Sequence, residues 1–266
     1  MVALEQDAPN RRGVLRLLFG IIGRPRATFD HLSEHGRGQW WLPALLTLLL
    51  ITLPVVVAAP ITAEQSREAL SAVQEELDEG SSAEEQAQME RAASIVASPL
   101  ITVVFPAVGG VAGRVVGWLV WAGALYLAGM ALGGRSAFGQ LLRMVVWTWV
   151  PYALRGLLQT VYILLSGQLI LNPGLSGLVR AGGSVRQMIA TQPGLGQQLL
   201  AAILSRLDLF LVWHLILLVI GVAVTMRISR RKAILVTLAV WMLLTALGLI
   251  PTAIGAAFTQ ATVVGS

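Results

Sequence analysis

An all-α bundle threaded through a lipid bilayer is the architecture to expect from these 266 residues, on three observations. Hydrophobic residues make up 56% of the chain and charged ones 12%, and the mean hydropathy of +0.74 lies outside the range of soluble globular domains. Five segments each hold the roughly 20 mainly apolar residues that cross about 30 Å of hydrocarbon. The charges, finally, are segregated. Nine of the 14 acidic residues fall within 64–91 beside only Arg67 and Arg91, so that window carries −7, the rest of the chain +12, and the total only +5. Such a split marks two faces of a membrane rather than a nucleic-acid-binding surface, and no nucleic-acid partner is expected.

The first span, 40–61, has no charge and opens on the interfacial pair Trp40 and Trp41. The second lies within 95–132, whose 38 residues are too long for one straight crossing and too short for two with a turn. It reads as one span over 100–132 with its first turn outside the membrane, interrupted only by Arg114. The third, 138–167, contains Arg143, Pro151 and Arg155; the fourth, 207–226, has Asp208 near its start and His214 inside; the fifth, 233–258, is uncharged. Together they give a polytopic bundle of five transmembrane helices.

Basic residues concentrate in short cytoplasmic segments. Twelve of them (Arg11, Arg12, Arg16, Arg24, Arg26, Arg37, Arg135, Arg143, Arg227, Arg230, Arg231, Lys232) fall on one face, against Arg67, Arg91, Arg180, Arg186 and Arg206 on the other. This predicts a multi-pass protein of the cytoplasmic membrane with its N-terminus inside, its C-terminus outside, an acidic outer loop at 63–94, a turn-rich outer loop at 168–195 and a short outer tail at 259–266. Within the acidic loop, Leu70, Val73 and Leu77 at helical spacing, followed by Gly80 and the capping pattern of Ser82 with Glu85, predict a hairpin of two short helices outside the membrane.

Residues 1–39 form a cytoplasmic segment without a signal peptide. Its apolar residues Val14, Leu15, Leu17, Leu18, Phe19, Ile21 and Ile22, beside Arg11, Arg12 and Arg16, allow two placements: an interfacial helix flat on the inner leaflet, or a helix packed against the bundle.

Charged side chains within spans are costly and are candidates for function. Arg114, Arg155 and Asp208 are the ones here, and Arg155 and Asp208 lie at matching depth in antiparallel helices, where they can pair; snorkelling to the headgroups is the alternative. Pro151 predicts a kink in the third span. Gly109, Gly113 and Gly117 form two overlapping G-x-x-x-G steps, a helix-packing pattern that serves packing within the monomer or dimerisation. His214 reads as a packed, hydrogen-bonded helix residue. His31 and His35 lack the H-E-x-x-H order of a zinc protease, and the chain has no cysteine, so neither metal nor cofactor is expected. Gly174-Leu-Ser-Gly177 spells a rhomboid-like tetrapeptide with Ser176, but the residues after it do not form a spanning helix, so intramembrane hydrolysis is a distant reading. No P-loop is present, and no carboxylate lies at mid-membrane, as proton-coupled carriers generally require.

The run Leu207-Asp-Leu-Phe-Leu-Val-Trp213, the apolar stretch to Met226 with Gly221, and Arg227-Ile-Ser-Arg-Arg-Lys232 before another apolar helix resemble the last hairpin of prokaryotic members of the Ypt-interacting-protein (Yip) family. The opening Phe19-Gly-Ile-Ile-Gly-Arg-Pro25, with Phe29, is similar to that family's pre-membrane segment, and the resemblance covers 14–258. It implies a five-span integral membrane protein without enzymatic activity. Eukaryotic relatives bind prenylated Rab-type GTPases, but the D-L-Y-G-P and G-Y-x-x-x-P motifs of those relatives are absent; Gly23-Arg-Pro25 and Val150-Pro-Tyr152 are the nearest substitutes. The expectation is a non-catalytic scaffold or membrane organiser whose partners are the bilayer, another membrane protein or a second copy. The alternative is a small-solute channel or transporter component using Arg114 and Arg155.

Overall fold

Hydrocarbon offers backbone groups no water, so a chain this apolar satisfies them within helices. The structure, a computed structural model, describes residues 13–35, 40–77, 98–179 and 194–255, with positions 84, 88, 91, 94 and 95 between them; every regular element among these is helical. Helices α1 (Val14–Gly23) and α2 (Pro25–His35) come first. Arg24 makes the corner between them with φ −142° and ψ 60°, outside the helical region that a following proline disfavours. Helix α3 (Trp41–Leu77) is followed by a π-helical turn (Leu100–Val104) that leads into α4 (Phe105–Ala131). Then come α5 (Phe138–Thr148), α6 (Val150–Ser166), a 3-10 turn (Ser176–Leu178), α7 (Leu195–Leu204), α8 (Leu209–Thr225) and α9 (Arg230–Leu247).

Among the described residues three helices are long and apolar enough to cross a membrane, Trp41–Glu68, Leu100–Ala131 and Arg230–Gly255. A fourth is present if the pair Leu195–Leu204 and Leu209–Thr225, separated by a short break, counts as one span. The stretch expected as a third span with a kink at Pro151 consists of two helices divided at Trp149, of 11 and 17 residues. Pro151 is the cause: it has no N–H for the carbonyl of Trp147, and the backbone tightens ahead of it, Trp149 N–H donating to Val146 O at 3.2 Å.

The expected outer hairpin also differs. Its first helix is no separate element, because α3 runs unbroken to Leu77. Residues 62–69 contain neither Gly nor Pro and are rich in Ala, Glu and Gln, so nothing stops the helix at the membrane boundary. Ser82 and Glu85 of its second helix lie outside the described residues, as do Arg37, residues 180–193 and the tail from 256.

The chain forms two compact units. The first joins Met1–Leu46, Trp118–Pro151 and Leu209–Ile250. Here α8 packs against α2, α5 and α9. Gly221 allows the close approach: a Cβ there would lie 2.5 Å from Met144 Sδ and 3.4 Å from Phe29 Cζ, and Phe29 is only 1% exposed. At the basic end of this unit two turns are stitched together. Arg135 N–H donates to Met226 O at 3.0 Å, Lys232 Nζ donates to Leu132 O at 2.8 Å, and the buried Met226 side chain fills the space left by Gly129 and Gly134. Lys232, the sole lysine, thereby places its ammonium just beyond α4, where the helix dipole favours a cation.

The second unit joins Thr47–Gly117, Tyr152–Asp208 and Pro251–Ser266. In it α3 and α6 meet backbone to backbone at Gly156, where a Cβ would run into the Leu50 carbonyl. The 3-10 turn seats on the end of α7: Leu175 N–H donates to Leu204 O at 2.9 Å, and Gly174, at φ +61°, fits beneath the carbonyls of Leu204 and Ser205, both 2.8 Å from where a Cβ would stand.

Candidate functional site

That turn fixes the end of α7 and with it the four-residue connection that carries Asp208. The Asp208 carboxylate meets Arg155 of α6, Oδ2 to Nη1, at 2.8 Å. The side chains are 14% and 22% exposed, so the pair is shielded but not sealed. Asp208 stands one residue ahead of α8, where a carboxylate also favours the positive end of a helix dipole. Arg114 of α4 and Tyr152 of α6 lie within electrostatic reach of the pair. The structure thus brings Arg155 and Asp208, matched in depth by sequence, into direct contact, with Arg114 and Tyr152 around them.

His214 is a buried polar side chain of the apolar helix α8. It is 1% exposed on α8, and its Nδ1 lies 2.7 Å from the carbonyl oxygen of Thr148, the last residue of α5. A carbonyl can only accept, so Nδ1 carries the proton and donates. The last carbonyls of a helix lack intrahelical partners. The break at Trp149 therefore creates an acceptor, and His214 supplies a donor to it. Trp121 meets the imidazole edge-on at 5.8 Å between ring centroids, and Trp149 lies tilted over it at 5.0 Å. The kink expected from Pro151 and the histidine expected to be packed are one arrangement, linked through Trp149.

Of the two uses open to the glycine stripe of α4, packing within the monomer is not the one seen. A Cβ at Gly109, Gly113 or Gly117 would meet nothing within 4 Å, and Val108 and Val116 beside them are exposed. Packing within the monomer uses Gly156, Gly221, Gly129 and Gly134 instead. G-x-x-x-G spacing shows only that a helix face is flat; which way the face turns depends on the neighbours.

Ser176 is fully buried in its 3-10 turn, and its hydroxyl donates to Pro173 O at 2.7 Å. A serine activated by histidine needs an imidazole nitrogen accepting from its hydroxyl. In this structure Ser176 bonds a carbonyl, and the Nδ1–H of His214 does the same.

Of the polar positions, the clasp at His214 and the pair at Asp208 each join helices that are distant in sequence. Across this arrangement, residues 19–250 match a family model described as the Yip1 domain. No curated protein and no solved structure matches the chain.

Proposed function

We propose that this chain, which belongs to the Yip family, is a non-catalytic membrane scaffold or organiser acting through protein or lipid contacts. In this reading the chain crosses the cytoplasmic membrane five times. Its basic end, with the N-terminus, faces the cytoplasm, and the acidic continuation of α3 faces outward, as the distribution of Arg and Lys requires. The broken pair α5 and α6 makes one crossing, and α8 another.

One observation carries the reading. Two polar side chains within the apolar helices are engaged with groups distant in sequence, Arg155 with Asp208 at 2.8 Å and His214 with the Thr148 carbonyl at 2.7 Å. Such groups, when they serve transport, line a path for a solute. When they serve architecture, they make one arrangement of helices the stable one, and the outer surfaces of the bundle do the work.

The test combines two measurements on the purified full chain. In liposomes the scaffold reading expects no passage of small ions, sugars or amino acids above that of empty vesicles. In native membranes, a photo-crosslinking residue placed at exposed Val116 or Leu243 is expected to give a discrete adduct with a protein or lipid. Flux that disappears in Arg155→Ala, together with no adduct, contradicts the scaffold and supports the channel or transporter alternative.

A further inference from the structure

Helix α1 is apolar on two opposed faces. Leu17 and Ile21, 1% and 0% exposed, form the face turned into the first unit. Leu15, Phe19 and Ile22, at 69%, 75% and 52% exposed, form the other. At about 100° per residue the two stripes stand about 150° apart around the helix. Exposure of the second stripe does not come from a loosely attached helix. A Cβ at Gly20 would sit 2.6 Å from Thr28 Oγ1, so α1 is pressed against α2, and α2 is anchored by buried Phe29 at Gly221, four residues before α8 ends. The outward stripe is therefore presented rigidly, close to the level at which α8 leaves the apolar layer.

The charge around this stripe has one sign. Residues 8–29 contain Arg11, Arg12, Arg16, Arg24 and Arg26 and no acidic residue, and Arg16, Arg24 and Arg26 are exposed. An apolar stripe flanked by arginines is the pattern of a helix lying in a membrane interface, its apolar side about 5–10 Å into the headgroup and acyl boundary and its cations among lipid phosphates. Each basic side chain near an anionic surface adds to that attraction.

We infer that the Leu15, Phe19 and Ile22 face of α1 is inserted in the leaflet at the basic end of the bundle and that Arg16, Arg24 and Arg26 select anionic phospholipids there. The occupant of the face is lipid, and α1 is a wedge fixed between the protein and the bilayer. Of the two placements open from sequence, packed and interfacial, the helix takes both at once, one on each side. The inference rests on the membrane placement of the chain and not on the scaffold reading, so the two stand or fall separately.

The chain has no cysteine, so single-cysteine variants of the full protein report one site each. Phe19→Cys, Ile22→Cys and Arg16→Cys, all at exposed positions, are labelled with an environment-sensitive fluorophore and reconstituted into vesicles containing brominated phosphatidylcholine, with or without phosphatidylglycerol. At positions 19 and 22 the expected result is severalfold stronger quenching by lipid bromine than by aqueous iodide, with the reverse at 16. Bromine quenching at 19 is expected to rise severalfold with phosphatidylglycerol and to lose that rise when Arg24 and Arg26 are replaced by Gln. Labels at 19 and 22 open to iodide overturn the insertion, and labels shielded from both quenchers overturn it in favour of a protein contact. Bromine quenching indifferent to phosphatidylglycerol overturns the selection of anionic lipid.

Discussion

In the unit built around α8, the polar groups of the interior are sealed: His214, Thr148 and Thr237 are each at most 1% exposed, and Trp147 and Phe29 are buried as deeply. In the unit that contains α6, the main polar contact keeps 22% and 14% of its side-chain surface open. The first unit is locked by shape, large side chains seated against Gly221 and Gly129, with one imidazole clasp at a helix break. The second is held by a backbone contact at Gly156 and by a charge pair at its margin. A sealed polar bond has no water to replace it when it is cut, whereas a marginal one does. Substitutions therefore weigh more in the first unit, apart from Gly156 and Gly174, the glycines of the second that lie against backbone carbonyls.

The largest loss is expected at Phe29, where truncation to Ala empties the space between α2 and α8. Phe29→Ala should destabilise the protein by about 3–5 kcal/mol, read as a lower unfolding temperature in lipid nanodiscs and as protease cleavage at residues 24–40. Unchanged stability would remove the N-terminal helices from the bundle. Next comes Gly156→Val, which forces α3 and α6 apart; overpacking of this kind costs about 1–3 kcal/mol and sometimes more. A variant as stable as the parent would show that the α3–α6 contact is absent in the membrane. At His214, exchange for Phe keeps volume but leaves the Thr148 carbonyl without that donor, an expected loss of about 1–3 kcal/mol. His214→Gln, which retains a donor, should recover part of it, and identical behaviour of the two would argue that the ring only fills space. At the small end, Gly113→Ala should stay within about 0.5 kcal/mol of the parent; a clear loss of stability would reveal a neighbour on α4.

The sequence was informative wherever one residue type carries a large energetic consequence by itself. Charged residues are so costly in hydrocarbon that Arg155 and Asp208 stood out as candidates either to pair or to snorkel, and Pro151 signalled a break because it lacks an N–H. What depended on relative facing was not legible. Gly109, Gly113 and Gly117 have the right spacing yet meet nothing within 4 Å, while Gly156, alone in its helix, makes the closest approach to another helix's backbone. Gly156 does sit next to Arg155, and a small residue beside a charge that must reach another helix was the available signal. The seat of Phe29 against Gly221 joins segments 192 positions apart, a pairing that no local pattern encodes. The length of α3 beyond the membrane was a matter of missing stop signals, which are harder to notice than signals present.

If Arg155 and Asp208 hold helices rather than pass solutes, exchanging their charges should restore what each single change loses. Arg155→Asp, Asp208→Arg and the reciprocal double variant are compared for stability in nanodiscs and for ion and solute flux in liposomes. Polar contacts between membrane helices average about 0.6 kcal/mol and reach about 1.7. Each single variant should lose at least that much, the double variant should recover most of it, and all four proteins should leave vesicles as tight as empty ones. Flux by the parent protein that the single variants abolish, with stability unaltered throughout, contradicts the account.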